Sequence, residues 1–420
     1  GGVYHDTDPM VFDVRYNPRS WRGNIATMRN PKACSPGDDS KCEAKHPGEK
    51  CLPVKGCSGS DCQHFCALST CSDNHTCGSG KYCIFDYCLA DRKWSTEDNP
   101  YLAAGGAAAR TIFTIKKSAG NKVALSSLVS DSDFMAQLGV TTTEESQNIV
   151  DWVYGKLNNA AEKTMPEDDE DRKVITDNGS YDYDLHSTKL LRARYEGTLN
   201  NPDEWLLHDI AHAEPVYVGA AAINSWSDEH HAGASYGSYI NDKEYQERRP
   251  VLLVSANDGM LHCFDANSGN ELWAFVPWDI VPKLKELASP VYDRLRTPTV
   301  DLKPAVFDVC ESPCDDVGDW TTRLIVGSRE GGDTYWAFDI RPPSKHLAPE
   351  FKWYFSDDDL GLTYSLPVVG RFKSNSDNPP DSEWLVFFGS GYARHSAGQM
   401  TKRVISTLLT CSAIPPAETS

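Results

Sequence analysis

Residues 251–277 read VLLVSANDGMLHCFDANSGNELWAFVP. Val251 to Ser255 is a nearly unbroken apolar run of strand length, and the turn-forming residues Ala256-Asn257-Asp258-Gly259 stop it. Met260 to Ala266 alternates between core and solvent preference, and Asn267-Ser268-Gly269-Asn270 then reverses the chain into Glu271 to Phe275, which carries Trp273. An Asp-Gly pair between two apolar runs is the strongest short-range hairpin signal. The stretch predicts three antiparallel strands joined by two tight turns.

The pattern recurs. Arg323 to Gly327, a glycine-containing turn over 328–333, Thr334 to Ile340 and Phe351 to Phe355 repeat the order of strand, turn, strand and Trp-bearing strand. A third copy begins at Trp384 to Phe388 with Gly389-Ser390-Gly391. Each copy follows a proline-led segment expected to be its first strand: Pro215 to Val218, Pro298 to Val300 and Pro367 to Val369. The fold expected is mainly β, a quinoprotein-like β-propeller with a small disulfide-rich insertion. Two full copies and partial ones leave two outcomes open: an incomplete propeller, or closure by sheets the pattern misses.

Composition narrows the function classes. The 420 residues hold 60 acidic and 41 basic side chains, a net charge of -19 that argues against nucleic acid as a partner. No window approaches the apolar length of a transmembrane helix. The Gly1-Gly2 start has no basic, apolar leader, so an exported form is expected to have lost it. Of the 14 cysteines, ten fall at positions 34, 42, 51, 57, 62, 66, 71, 77, 83 and 88. That density points to an oxidising compartment.

Four regions follow. Residues 1–33 and 93–140 are expected to form the first propeller sheet or sheets, with Arg110 to Lys116 continuing the sheet begun by the hairpin over 10–28. Residues 34–92 form a cysteine-rich insertion, too poor in large apolar side chains to build its own core, in which Cys34, Cys42, Cys51, Cys57, Cys62, Cys66, Cys71, Cys77, Cys83 and Cys88 pair as disulfides. Zinc bound by Cys62, Cys66 and the nearby His64 and His75 is the rival; the cysteines are strewn evenly and not paired as C-x2-C, which favours disulfides. Residues 141–205 hold a helix, opened by a capping box at Thr142 and Glu145 and ending near Asn158, then an acidic loop over 167–171. Residues 206–420 hold the blades, the last incomplete, interrupted by a polar loop over 220–250.

Several segments, in order, resemble the C-terminal region of PilY-type type IV pilus biogenesis proteins and tip adhesins. They are Tyr16 to Ile25 with its Trp-x-Gly, His208-Asp209-Ile210-Ala211-His212-Ala213-Glu214-Pro215-Val216, Ala256-Asn257-Asp258-Gly259-Met260-Leu261-His262 with Phe264-Asp265-Ala266, Asp359 to Pro367, and Phe388-Gly389-Ser390-Gly391-Tyr392. The likeness covers most of the chain outside the insertion. It marks Asp209, His212, Pro215, Asn257, Asp258, Gly259, Asp265 and Gly391 as motif positions. His208 stands where the family carries glycine and Ala213 where it carries serine. The resemblance implies an exported protein at the cell surface or pilus tip, associated with the outer membrane, whose partners are minor pilins and a surface or host receptor. Calcium is a property of the family, but its D-x-D-x-D-G loop does not occur in these residues, so no cofactor is expected in this chain.

The chemistry available is sparse. His208 and His212 stand four apart and could chelate a metal on a helix, yet they lead into a strand, and a structural turn is the competing reading. A quinoprotein oxidoreductase shares the blade pattern and is the alternative function. Such enzymes carry a vicinal cysteine pair, whereas Cys310 and Cys314 are separated by three residues and are expected to close a small disulfide turn. No P-loop motif occurs. The reading reached is therefore a non-enzymatic pilus assembly factor and adhesin. Its recognition surface is expected on the insertion, through Phe65, Tyr82, Phe85 and Tyr87, unless those rings fill the insertion's own small core.

Overall fold

The chain divides into two units, Gly1–Arg15 with Asn24–Pro100 and Tyr16–Gly23 with Tyr101–Ser420. The computed structural model describes residues 110–156, 206–224, 235–289, 297–310, 314–340, 349–373 and 382–392, together with isolated segments, chiefly strands, within 10–95, 191–204 and 409–410.

The strands up to residue 95 are β1 (Met10–Asn17), β2 (Arg22–Arg29), β3 (Ala33–Cys34), β4 (Lys50–Pro53), β5 (His64–Ala67), β6 (Ser69–Thr70), β7 (Tyr82–Ile84), β8 (Tyr87–Leu89) and β9 (Arg92–Ser95). They pair in the orders β1-β2-β9, β3-β5-β4 and β6-β8-β7. Thr27 of β2 lies opposite Trp94 of β9, so the strands that flank the cysteine-rich stretch are neighbours in one sheet. Within that stretch Cys34 and Cys51 form a disulfide across 17 residues, which restricts the unfolded chain by roughly 3 kcal/mol. Asp39 accepts the Cys51 amide at 2.8 Å.

Arg110 to Lys116 does not continue that first sheet. In the second unit β10 (Ile112–Lys116) pairs antiparallel with β11 (Asn121–Ala124) and parallel with the strand 271–275. The placement follows from composition. Ile112, Phe113 and Ile115 are all buried, and Phe113 packs on Trp273 and Phe275 at ring-centroid distances of 5.8 and 5.4 Å, apolar partners on the strand that β10 joins.

Two helices follow, α1 (Ser132–Leu138) and α2 (Thr143–Tyr154). The Asp131 side chain caps α1, and Thr142 and Glu145 form the expected reciprocal capping box on α2. Helix α2 stops at Gly155, earlier than Asn158, because Gly155 takes the left-handed conformation at φ 80° and its amide turns back to close the last turn. Ile149, Trp152 and Val153 line its buried face. The acidic run at 167–171 lies outside the described residues.

After the hairpin β12 (Tyr195–Thr198) and β13 (Asn201–Glu204) come β14 (Val216–Val218), α3 (Ser235–Ile240), α4 (Lys243–Gln246), β15 (Val251–Ala256), β16 (Met260–Asp265), β17 (Glu271–Phe275) and α5 (Leu284–Leu287). Strands β14 to β17 run as an antiparallel meander, and β10 and β11 extend it to the order β11-β10-β17-β16-β15-β14. The polar stretch 220–250 is not all loop: α3 and α4 bury Tyr236, Tyr239 and Tyr245 against the second sheet, with Asp242 capping α4. Three tyrosines supply enough apolar area to hold two short helices that propensity alone would not.

The second meander is β18 (Ala305–Cys310), β19 (Trp320–Val326), β20 (Tyr335–Asp339) and β21 (Glu350–Phe355). The third sheet is β22 (Val368–Lys373), β23 (Ser382–Phe387) and β24 (Leu409–Thr410). The strand expected at Pro298 to Val300 forms instead at 305, because Thr299 and Asp301 direct their polar atoms to neighbouring turns and not to a ladder. Aromatic rings join successive sheets. Phe275 meets Phe338 at 4.8 Å and Trp336 at 5.6 Å, while Trp320 meets Trp384 at 6.0 Å and Tyr335 meets Phe388 at 4.4 Å. Cys310 and Cys314 form the expected disulfide, and the Trp384 indole donates to Cys310 Sγ at 3.1 Å. The structure is thus mainly β with few helices and with disulfides in both units.

Candidate functional site

The motif residues collect where the loops of successive sheets meet. Asp209 and Asn257 are both fully buried: the Asn257 amide donates to Asp209 O at 3.0 Å, and its Nδ2 donates to Asp209 Oδ2 at 2.9 Å. Asn257 Oδ1 in turn accepts the Thr299 amide at 3.0 Å, and Thr299 Oγ1 accepts the Gly259 amide at 3.1 Å. One asparagine side chain therefore joins the segment before the first meander, the first tight turn and the segment before the second meander. Gly259 turns at φ 92°, a conformation only glycine adopts without strain.

The seam continues along the chain. Gly331 packs so closely on Thr299 that an added Cβ would stand 1.6 Å from the Thr299 carbonyl oxygen. Thr363 Oγ1 accepts the Ser328 amide at 2.8 Å and donates to Gly332 O at 3.0 Å. At the third sheet an added Cβ on Gly391 would stand 1.8 Å from Leu362 O, and the Leu362 amide donates to Tyr392 O at 2.9 Å. Asp209, Asn257, Gly259 and Gly391 are thus members of one interlock that repeats from sheet to sheet.

Behind the first turn runs a buried chain of charges. His262 Nε2 lies 3.0 Å from Asp258 Oδ2 and its Nδ1 lies 2.7 Å from Glu271 Oε1. Arg110 donates to both Glu271 oxygens at 2.6 and 2.9 Å and to the Val153 carbonyl at the end of α2 at 3.0 Å. Burial alone would lower the His262 pKa, but Asp258 and Glu271 outweigh it and raise it to about 9. Burial would raise Glu271; Arg110 first and His262 second bring it down to about 2. Two cations and two carboxylates are therefore buried together, which requires such pairing.

Asp265 ends β16, accepts the amides of Asn267 and Ser268 at 2.9 Å each, and pairs with Arg249 Nε at 2.5 Å. Pro215 leads into β14. A second buried carboxylate, Asp308, accepts from Thr322, Tyr245 and Tyr236 at 2.8, 2.9 and 3.1 Å and ties α3 and α4 to the second sheet. A third, Asp279, has its pKa raised to about 6, chiefly by burial, with Lys117 opposing; Trp336 Nε1 donates to one of its oxygens at 3.2 Å.

The two histidines considered for metal do not converge. His208 is fully buried, edge-on to Trp152 at 6.0 Å, while half-exposed His212 places Nδ1 2.5 Å from Asp301 Oδ2. Among the described residues no three His, Cys, Asp or Glu side chains group as a metal site. Of the rings expected on the insertion, Phe65 stands on β5 opposite Leu52, Tyr82 on β7 opposite Leu89, and Tyr87 on β8 opposite Ile84. Their side chains, and Phe85 altogether, lie outside the described residues. Cys66 is the strand partner of Cys51 and Cys83 that of Cys88, while Cys42, Cys57, Cys62, Cys71 and Cys77 also lie outside. Cys263 is a buried free thiol. Asp279, Asp308 and Arg110 carry no local motif; only the i, i+16 recurrence of Arg before Phe-Asp, at Arg249 with Asp265 and Arg323 with Asp339, could have pointed to such buried pairs from sequence.

The chain is 31% identical over 218 residues to a Xylella fastidiosa protein named type IV pilus biogenesis factor PilY1 homolog, an alignment covering 51% of this chain and 16% of that one. It is 32% identical over 192 residues to Pseudomonas aeruginosa type IV pilus biogenesis factor PilY1, covering 44% and 15%. The chain is similar to PilY-type proteins over about half of its length. The stretches aligned span about one-sixth of the length of these relatives. The crystal structure of the Pseudomonas aeruginosa PilY1 C-terminal domain matches with 25% identity and a TM-score of 0.31, covering 47% of this chain and 37% of that one. No family model matches the chain.

Proposed function

We propose that this chain is a non-enzymatic part of a type IV pilus biogenesis factor, exported and acting at the pilus tip or cell surface in association with the outer membrane. The observation that supports this most is its likeness to proteins bearing that name in two organisms. The consecutive antiparallel meanders with ring-to-ring contacts between sheets favour a β-propeller scaffold, here with residues 206–420 as blades and 34–92 as a disulfide-bonded module. The polar motif residues are engaged in holding loops together: Asn257, Asp209 and Thr299 bond to one another, and His262 sits inside a closed ion chain. Residues so occupied suit a rigid scaffold for binding better than a reaction centre. The partners we assign are minor pilins and a surface or host receptor. Among the described residues no helix is long and apolar enough to cross a membrane.

Co-purification of the full chain with minor pilins, repeated with calcium and with chelator, tests this reading. Retention of pilins in both conditions is expected, since the family's calcium loop does not occur in these residues. Failure to retain any minor pilin, together with reduction of a dye by the purified protein in the presence of an alcohol, would move the assignment to a quinoprotein-type oxidoreductase.

A further inference from the structure

We propose that Arg329, with Tyr364, Tyr392, Leu366 and Val368, forms a docking site for a protein segment that presents a carboxylate next to a large apolar side chain. Arg329 occupies the left-handed region at φ 52°, where a residue with a Cβ is strained. An isolated antiparallel bridge to Thr363 holds it there. Its guanidinium lies 5.4 Å from the centroid of the Tyr364 ring. Its closest carboxylate, Asp301 Oδ2, is 3.8 Å away, a Coulombic distance and not a hydrogen bond. Asp301 is already engaged: Oδ1 accepts the His212 amide at 2.9 Å and Oδ2 meets His212 Nδ1 at 2.5 Å. Arg329 Nη1 is itself buried and has no hydrogen-bond acceptor, while the side chain as a whole is 28% exposed. The exposed part of this planar, always charged guanidinium suits an external carboxylate.

Apolar surface lies on the segments that carry Tyr364 and Tyr392. Leu366, Val368 and Tyr392 are 47, 59 and 42% exposed and are the exposed large hydrophobic side chains among the described residues. They fall on two segments that the seam ties together: Gly391 donates to Leu360 O and Gly389 to Ser365 Oγ, each at 2.9 Å, and Tyr392 meets Tyr364 edge-to-face at 5.5 Å. An arginine against one tyrosine, with a second tyrosine edge-on to the first, has the residue types that dominate interface hot spots, and the exposed aliphatic groups lie on the segments that carry the tyrosines. Charge decides the occupant: the guanidinium calls for a carboxylate, either an acidic side chain or a free chain end, and the neighbouring rings call for an apolar residue beside it. The segment is defined by this chemistry alone, independently of pilus assembly.

Fluorescence anisotropy with four labelled hexapeptides tests the site on the full chain. One is amidated with Asp between two leucines, one has Asn in its place, one ends in leucine with a free carboxylate, and one is the amide of that peptide. Either the Asp peptide or the free-ended peptide is expected to bind at least about tenfold more tightly than its neutral counterpart, and which of the two does so identifies the source of the carboxylate. Arg329→Gly should abolish that difference while melting at the same temperature as the parent or higher, because glycine relieves the strained backbone. Tyr392→Ser should weaken charged and neutral peptides alike. The proposal is overturned if no peptide binds at millimolar concentration, if charged and neutral forms bind equally, if the glycine variant keeps the preference, or if it melts well below the parent and so reveals a purely structural arginine.

Discussion

Asp265 and Asp339 are counterparts: each ends a strand after phenylalanine, and each accepts the Nε–H of an arginine sixteen residues earlier, Arg249 at 2.5 Å and Arg323 at 2.6 Å. Their surroundings differ. Arg323 is fully buried, whereas the Arg249 side chain is 40% exposed. Removing a carboxylate from a buried arginine strands its charge, at a cost of about 3–5 kcal/mol, while an exposed arginine turns to water. Asp339→Ala should therefore lower unfolding stability by several kcal/mol, and Asp265→Ala by about 1–2 kcal/mol, mainly through the two turn amides it caps. Urea midpoints of the two variants decide the matter; equal losses would refute the assigned role of burial.

Stability should vary with pH in three separable limbs. Glu271 titrates at about 2, below its ordinary 4.5, so its contribution is present above 4.5 and disappears as the pH falls through 2. His262 titrates at about 9, above 6.5, so its contribution is complete below 6.5 and is lost as the pH rises through 9. Asp279 is raised from 3.8 to about 6, so the folded state holds its proton more tightly than the unfolded state and stability falls between those values. Each limb has a slope of at most about 1.4 kcal/mol per pH unit. Asp279→Asn should erase the middle limb and leave the alkaline one. A variant that keeps the decline between pH 4 and 6 would show that another group titrates there.

Close backbone approach makes the seam intolerant of side chains. Gly331→Ala would drive a methyl group into the Thr299 carbonyl, a backbone atom that cannot step aside, whereas an added Cβ on Gly318 meets nothing within 4 Å. The first substitution should cost about 1–3 kcal/mol or prevent folding, and the second should be close to neutral. Thermal melts of both compare them directly; a silent Gly331→Ala would mean that the two loops are not interlocked as described.

Joining Ala33 to Lys93, which deletes 34–92, should spare the second unit and its sheets, because β2 and β9 are already neighbours across the excision. Pilus assembly is expected to persist while attachment to a surface or host falls. Loss of export or assembly with normal attachment by the remaining pili would assign the stretch to structure instead.

How much of this was legible from residues alone differed by element. The strands 251–256, 260–265 and 271–275 were plain because Asp258-Gly259 and Gly269 punctuate apolar runs of strand length, and the capping box at Thr142 announced α2. The parallel docking of β10 was not, since nothing local distinguishes a strand that joins the hairpin at 10–29 from one that joins residues 271–275. Pro298 to Val300 resembled a strand because it repeats the proline-led pattern of Pro215 to Val218 and Pro367 to Val369, yet the Thr299 amide goes to the Asn257 side chain. The motif positions were marked by resemblance, but their employment as a buried seam depended on Thr299, Asp301 and Gly331, which are distant in sequence and carry no signature. Arg329 gave no sign at all, because a lone arginine in a glycine-rich turn is unremarkable until its φ is known.

The parallel pairing of β10 with β17 also bears on the order in which the molecule can assemble. Ile112 and Phe113 lie beside Ala274 and Phe275, partners separated by about 160 residues of chain. During synthesis an apolar strand with an open edge must therefore wait while α1, α2 and the whole first meander are made before its neighbour exists. The second meander needs no such delay, since each of its strands pairs with the next. Slow, non-local closure at the first sheet and rapid local closure at the second would make the early strand the segment most exposed to mispairing, and the one a folding helper would have to shield.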